Sequence, residues 1–423
     1  MSQKIKLTEA ISIGIGGMVG GGIFAVLGLA VDLSKGGTPL AFLFAGILAL
    51  ITSYSYVQLS KKYADRGGTV KFITQGFGKT VLSGGINNLL WVSYIIMLSL
   101  YASAFGSYAP NLLPITGGGL DFHLYASGII LLAAIINYYS IKVVGMIESY
   151  AVIIKLVILI AFIGIGLYGL IGNPNLEQLY PENWEAPLQL LTGGMVIFVA
   201  YEGFELIANS APDIENPDKN IPRAYYIAIV FVVLLYIIIA VVTVGSLPFD
   251  QIKTAEDYVL AEAAKPMLGQ TGFTIITIAA MISTFSAINA SIYGGSRVSY
   301  EIAEEDELPH QFTYQLWNQP IGLLITAGLT LLLTNTLKLE SISTAGSVGF
   351  LLVFAMVNYV GFKLSKNTGS NKIIPITGFI LCLIAMVVLL QQQFESNTMG
   401  VIVALSIVSG CFLNEYFYKM NEE

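Results

Sequence analysis

Twelve stretches of this sequence each run for about 20 mostly apolar residues, the length a helix needs to cross a bilayer. They cover 7–33, 39–61, 81–109, 123–141, 146–171, 187–210, 222–246, 270–300, 320–336, 341–363, 373–392 and 398–418. In hydrocarbon every backbone polar group must be satisfied within the protein, so such stretches become helices or, failing that, a closed barrel. The expectation is an all-α integral membrane protein with 12 transmembrane helices. The first span follows Lys4 and Lys6, as in a signal peptide. Its core runs past the usual short apolar region without a clear cleavage site, so a retained helix is expected. The connections are short enough to join neighbouring helices, which implies one domain over 1–423. The longest, 247–269, carries Pro248, Asp250, Lys253, Glu256 and Asp257 and would suit a short surface helix.

Sidedness follows from the basic residues, because Lys and Arg concentrate in cytoplasmic loops. Of the 20, 15 fall on one side: Lys4, Lys6, Lys61, Lys62, Arg66, Lys71, Lys79, Lys142, Lys219, Arg223, Arg297, Lys363, Lys366, Lys372 and Lys419. Lys35, Lys253, Lys265 and Lys338 fall on the other, and Lys155 lies inside a span. This predicts a multi-pass protein of the cytoplasmic membrane with both termini in the cytoplasm. The acidic stretch 302–310, with Glu304, Glu305, Asp306 and Glu307, is assigned inside because acids weigh little in the rule.

Composition narrows the function. Only 11% of residues are Asp, Glu, Lys or Arg, against about 25% in soluble domains, and the net charge of −7 argues against nucleic acid. Two cysteines and two histidines, His123 and His310, make a disulfide scaffold, a zinc cluster or a Cys/His catalytic pair hard to assemble. Neither a phosphate loop nor a positioned Ser/His/Asp set is present, so no enzyme is expected and no cofactor or metal is implied. Cys382 and Cys411, in spans eleven and twelve, read as small apolar packing residues.

Two spans do not read as ordinary helices. Span one contains Gly14-Ile15-Gly16-Gly17-Met18-Val19-Gly20-Gly21-Gly22-Ile23-Phe24, and each interior glycine costs about 0.8–1.0 kcal/mol of helix propensity relative to alanine. Gly16 and Gly20 fit a simple packing face, but three consecutive glycines exceed what packing requires. A break at mid-membrane is tolerated where the freed backbone lines a cavity. Span six reads Phe198-Val199-Ala200-Tyr201-Glu202-Gly203-Phe204-Glu205, with two carboxyl groups and a glycine in its second half. Glu205 could simply reach water at the cytoplasmic end; Glu202 is harder to place there. Broken helices at corresponding positions of two halves point to the binding site of an inverted-repeat transporter. Spans one and six are five apart, so 7–171 and 187–363 would be inverted repeats, with 373–418 added at the end. Gly16-Gly17-Met18-Val19 recurs as Gly193-Gly194-Met195-Val196, but the offset does not quite align the two breaks and the echo is read as coincidence.

Lys155 is the basic residue out of place. It lies about 13 Å along span five from the inner end, too far to snorkel easily. Desolvation of an ammonium makes loss and recapture of its proton accessible, which is what a proton-coupling residue needs. The structural alternative is an ion pair with Glu148 or Glu202. Span eight offers Ser283, Thr284, Ser286, Asn289 and Ser291 to solvate a cation, or as ordinary interhelical hydrogen bonds.

The glycine break, Lys62-Tyr63-Ala64-Asp65-Arg66-Gly67-Gly68, Tyr201-Glu202-Gly203-Phe204-Glu205 and Glu215-Asn216-Pro217-Asp218-Lys219-Asn220-Ile221-Pro222-Arg223-Ala224 together resemble the amino acid–polyamine–organocation transporter family. Within it the chain looks most similar to archaeal proton-coupled members of broad specificity, which have a lysine at the same place in helix five. The resemblance implies the five-plus-five inverted-repeat fold with helices one and six broken. It implies a secondary active transporter that imports amino acids by alternating access. The substrate carboxylate would meet the N–H groups of Gly20, Gly21 and Gly22. The ammonium would meet carbonyls near Met18 and near Phe198, Val199 and Glu202, beside Tyr201. Lys155 would stand where sodium-coupled relatives hold sodium, making the driving ion H+ rather than Na+. It would bond the backbone from Gly14 to Gly17 and hydroxyls near Ser283, with Glu205 in a gating role. Where the family pattern leads one to expect an apolar residue, this chain has Glu202, which either admits a more cationic substrate or pairs internally. An exchanger of the same fold and a non-transporting amino-acid sensor are the alternatives. A major facilitator also has twelve spans and often an Asp-Arg loop, but it usually carries a long central loop where this chain has about ten residues.

Overall fold

The computed structural model describes residues 4–139, 141–171, 173–308, 310–316 and 319–420; the side chains of Lys142, Glu148 and His310 lie outside the described set. The helices are, in order, α1 (Leu7–Met18), α2 (Gly22–Ser34), α3 (Thr38–Lys62), α4 (Thr69–Phe77), α5 (Val81–Tyr108), α6 (Leu120–Tyr139), α7 (Ile141–Gly169), α8 (Pro187–Val196), α9 (Leu206–Ser210) and α10 (Pro217–Ser246). They continue with α11 (Phe249–Thr254), α12 (Val259–Glu262), α13 (Lys265–Glu304), α14 (Ile321–Thr336), α15 (Leu339–Lys363), α16 (Ser365–Thr368), α17 (Ile373–Ser396) and α18 (Thr398–Met420). A two-residue antiparallel pairing, Gln315–Leu316 with Gln319–Pro320, sits between α13 and α14.

Among the described residues nine helices are long and apolar enough to cross a membrane, and two bent pairs raise the number to 11. The bends are 48° between α1 and α2 and 51° between α8 and the segment that follows it. The remaining expected span, 320–336, is α14, whose 16 residues extend about 24 Å, short of a hydrocarbon core of roughly 30 Å. The span expected to open at Pro222 begins at Pro217 instead. Asn216, at φ 47°, turns the chain into the helix, and Pro222 is accommodated within the helix. The connection 247–269 holds two short helices: α11, exposed along much of its length, and α12, whose Val259, Leu260 and Ala261 are buried.

Burial sorts the spans into layers. The apolar window of α5 is 94% buried, while those of α17 and α18 are 28% buried, so α5 is the central pillar and the last two helices are peripheral. Ile153, Ile154, Val157 and Ile160 of α7, and Ile380, Ile384 and Val387 of α17, are exposed apolar surface that lipid would cover.

Helix contacts recur when each span is advanced by five. Span one on seven, α1 on α10, is matched by six on two, α8 on α3; five on eight, α7 on α13, by ten on three, α15 on α5; and four on eight, α6 on α13, by nine on three, α14 on α5. This is the recurrence that an internal repeat of five spans would produce.

The loops assigned to the cytoplasm meet at one end of the bundle. Arg66 pairs with Asp213 at 3.2 Å, Lys61 with Asp218 at 3.2 Å, Lys71 with Glu305 at 3.3 Å and Lys79 with Asp306 at 3.1 Å. Lys4 donates to the Pro212 carbonyl and Lys363 to the Gly76 carbonyl. The acidic stretch after α13 therefore has a structural reason: it neutralises Lys71 and Lys79. At the opposite end Lys35 pairs with Asp32 and bridges to Trp184, and the segment 249–264 lies on α2.

Candidate functional site

Each bent pair unwinds on its own copy of Gly-Gly-Met-Val, for α1 ends at Met18 and α8 at Val196. The two helix ends fall one residue apart within the repeated tetrapeptide. The two breaks touch through backbone. A Cβ on Gly17 would lie 2.7 Å from the Gly203 carbonyl oxygen, and one on Gly203 would lie 2.7 Å from the Met18 nitrogen. Gly203 also has φ 111°, which side-chain-bearing residues rarely adopt.

Backbone freed by the breaks is captured by side chains from neighbouring spans. The Lys155 ammonium, 1% exposed, donates to the Gly16 carbonyl at 3.2 Å. The Ser283 hydroxyl donates to the Gly20 carbonyl at 2.6 Å and lies 3.3 Å from that of Val19. Tyr236 joins the two breaks, its hydroxyl 2.7 Å from the Met18 carbonyl and 3.2 Å from that of Ala200. In the second break, Ser343 and Ser347 both donate to the Val196 carbonyl at 2.8 Å, and the Val199 N–H donates to Ser347 at 3.2 Å.

The predicted site residues divide accordingly. Gly20, Gly21 and Gly22 lie at the start of α2, whose first N–H groups have no partner inside the helix and point a positive dipole end into the break. A Cβ on Gly21 would strike the Tyr101 ring, and one on Gly22 would meet the Ala200 backbone. Met18 is present through its carbonyl. Phe198 packs edge-on against Phe354, and Val199 contributes its N–H. The Tyr201 side chain turns away from the breaks: its hydroxyl donates to the Phe42 carbonyl at 2.8 Å and its ring packs on Tyr236. Gly14 lies one turn from the break. Lys155 reaches Gly16, while Gly14 faces Ile207 and Ala228.

Glu205 does not reach water. It is 1% exposed, accepts the Gly203 N–H at 2.7 Å and the Tyr94 hydroxyl at 3.1 Å. Glu202, 5% exposed, lines the inner cavity together with Gly16, Gly17, Tyr94 and Tyr101. Glu148, the other expected partner of Lys155, lies outside the described side chains.

Two neighbouring cavities adjoin the breaks. The inner one, about 30 Å³, is lined by Gly16, Gly17, Tyr94, Tyr101, Glu202 and Ser286 among others, room for one or two waters. The second, about 430 Å³, shares Leu206, Ala290 and Gly294 with it and reaches Arg66, Arg297 and Glu301 at the basic end. At the opposite end the segment 249–264 packs tightly on α2: a Cβ on Gly28 would run into the Glu256 backbone. Burial, with Asp257, Asp32 and Glu340 adding repulsion, pushes the Glu256 carboxyl up to about 7.

Tyr236, Gly203, Ser343 and Ser347 were missed in the sequence as site residues. Tyr236 is the one hydroxyl in Val232-Val233-Leu234-Leu235-Tyr236-Ile237-Ile238-Ile239, and Ser343 and Ser347 are one helical turn apart in span ten; both were signals that could have been followed.

Comparison with known proteins agrees with this arrangement. Residues 5–411 match the amino acid permease family. The chain is 33% identical to an uncharacterized protein of Methanocaldococcus jannaschii, over 99% of this chain and 96% of that one. It is 32% identical to the inner membrane transport protein YbaT of Escherichia coli, over 95% and 93% of the two chains. To the serine/threonine exchanger SteT of Bacillus subtilis it is 24% identical, over 100% and 98%.

Proposed function

This chain belongs to the amino acid permease family, a family of transporters and not of enzymes, and from that membership we propose that it imports amino acids by proton symport, using Lys155. It is a multi-pass membrane protein whose substrates are small amino acids. The cytoplasmic membrane, with both termini inside, is the proposed location, because the basic loops gather at one end.

The observation that carries the proposal is the buried Lys155 ammonium on the Gly16 carbonyl, one residue before the Gly17–Gly203 contact. When protonated, Lys155 makes a charge-assisted bond that ties α7 to the last turn of α1. The bond favours one arrangement of the half-helices. Loss of the proton weakens it and frees α1 to move against the remaining spans, a population shift of the kind alternating access needs. The substrate carboxylate is proposed to dock on the N–H groups opening α2, and its ammonium on carbonyls near Met18, Phe198 and Val199. The inner cavity, about 30 Å³, is too small for an amino acid, so the substrate must part the half-helices to enter. The cavity reaching the basic end and the packing of 249–264 on α2 support an inward-facing state, and Glu205 a place near the gate.

The test is uptake in proteoliposomes with and without an imposed pH gradient, over a panel of radiolabelled amino acids. Lys155→Ala is expected to abolish gradient-driven accumulation while leaving substrate binding measurable. Undiminished accumulation by that variant would refute the role of Lys155. The similarity to a protein named an exchanger favours a second reading, obligatory exchange. Uptake that requires amino acid preloaded inside the vesicles would select it.

A further inference from the structure

The cavity at the basic end has room for an amino acid where the inner one has not. At about 430 Å³ it falls within the usual range of small-ligand pockets, and it shares walls with the inner cavity. Tyr293, Arg297 and Glu301, at successive turns of α13, line it. Residues four apart on a helix lie about 5–6 Å apart at Cβ, where an Arg and a Glu can pair. Among the described residues neither does: no acceptor lies within hydrogen-bond or ion-pair reach of the Arg297 guanidinium, and no donor within reach of the Glu301 carboxyl. Arg66, the other guanidinium at this cavity, is by contrast held by Asp213 at 3.2 Å. Arg297 lies over the Tyr293 ring, 5.1 Å from its centre, a contact that holds the guanidinium while leaving its N–H donors without an acceptor. One cavity therefore presents, a helical turn apart, a cation with unused donors and an anion with unused acceptors. A simple anion would satisfy Arg297 and repel Glu301, and a simple cation would do the reverse. A molecule carrying both charges satisfies the two at once.

We infer that the basic-end cavity is a second amino-acid site, a station on the cytoplasmic side of the breaks, in which Arg297 holds the α-carboxylate and Glu301 the α-ammonium. The apolar wall of Ile13, Leu206 and Val298 is left to the side chain. An amino acid leaving the breaks exchanges backbone partners for a guanidinium and a carboxylate instead of for water alone. The site also loads from the cytoplasm, because it needs no parting of the half-helices. The inference rests on the transport reading for the choice of ligand, but the unpaired charges and the room between them do not depend on it.

Equilibrium dialysis of the full chain in lipid nanodiscs against tritiated L-alanine, L-serine, L-leucine and L-lysine tests it. With at least one of the four, the wild type is expected to show a binding component that weakens about tenfold or more in Arg297→Gln and equally in Glu301→Gln, with melting midpoints unchanged. N-acetyl-L-alanine and L-alanine methyl ester, which each lack one of the two charges, should compete for that component far less than L-alanine does. This competition uses the wild type, so it decides the matter even where a variant melts early: equal competition by both analogues overturns the inference. So does binding of none of the four amino acids, binding untouched by both substitutions, or loss in Arg297→Gln alone, which marks a site for simple anions. Failure of the transport reading would show separately, as no accumulation of any amino acid in proteoliposomes while the component that depends on Arg297 and Glu301 persists.

Discussion

Replacing Gly203 by alanine tests whether the two breaks truly rest on one another. Two costs add at that position. A side-chain-bearing residue held at φ 111° carries strain of order 1–3 kcal/mol. The new methyl, 2.7 Å from the Met18 nitrogen and closer still to the Gly17 carbonyl carbon, collides with backbone that cannot rotate aside, and overpacking of this kind typically costs about 1–3 kcal/mol. The sum is roughly 2–6 kcal/mol, or a melting midpoint lowered by roughly 4–12 °C at about 2 °C per kcal/mol. Gly17→Ala meets the Gly203 carbonyl oxygen at 2.7 Å without a positive φ, so it should lose only the overpacking part. Gly164→Ala, with nothing within 4 Å of its Cβ, should be neutral or gain up to about 1 kcal/mol of helix propensity. Cys382 and Cys411 are buried free thiols, so a thiol-reactive dye reads the melting of all three variants without added labels. The expected order of midpoints is Gly164→Ala, Gly17→Ala, Gly203→Ala, from highest to lowest. A Gly203→Ala protein that melts with the wild type would refute the contact.

Two further outcomes follow from the hydrogen bonds and the packing of 249–264 on α2. Tyr236→Phe deprives the Met18 and Ala200 carbonyls of a donor, a loss of about 1–3 kcal/mol that should raise the substrate KM, whereas Tyr201→Phe, which releases only the Phe42 carbonyl, should leave KM alone; equal effects on KM would refute the assignment. Glu256, pushed up to about 7 by burial, favours the closed segment 249–264 while protonated, so closure is fully favoured below the usual carboxylate value of 4.5 and weakens as pH rises through about 7. Hydrogen exchange of that segment should accelerate over this window in the wild type and stay flat in Glu256→Gln; parallel profiles would rule Glu256 out.

Length and apolarity made the spans legible, because lipid leaves a helix few alternatives. They were less able to locate ends. Pro222 is a poor guide to where α10 begins, since the start is set by Asn216 at φ 47° and a proline at the first helical position, Pro217. The glycine and carboxyl anomalies correctly marked both breaks. What they could not supply was direction: Tyr201 lies in the right segment, but one turn of chain decides whether a group faces the break or a neighbouring span. Lys155 was legible because a charge in an apolar run has few explanations. Ser343 and Ser347 were not, because serine in a membrane helix is ordinary and only its partner, the Val196 carbonyl, gives it meaning.

On the proton-symport proposal, that last pair bears on how a proton would act. Under the five-span shift, α7 corresponds to α15 and α1 to α8, so Lys155 on the Gly16 carbonyl and Ser343 with Ser347 on the Val196 carbonyl do the same work in the two halves. Each ties the end of a first half-helix to the fifth span of its own repeat. An ammonium is a titratable group, whereas a serine hydroxyl is not. On the proposed coupling, a change of proton concentration would act on the α1 attachment and leave the α8 attachment fixed. Two equally titratable attachments would loosen together and give no preferred direction of motion; one fixed and one titratable attachment would make α8 the reference against which α1 moves.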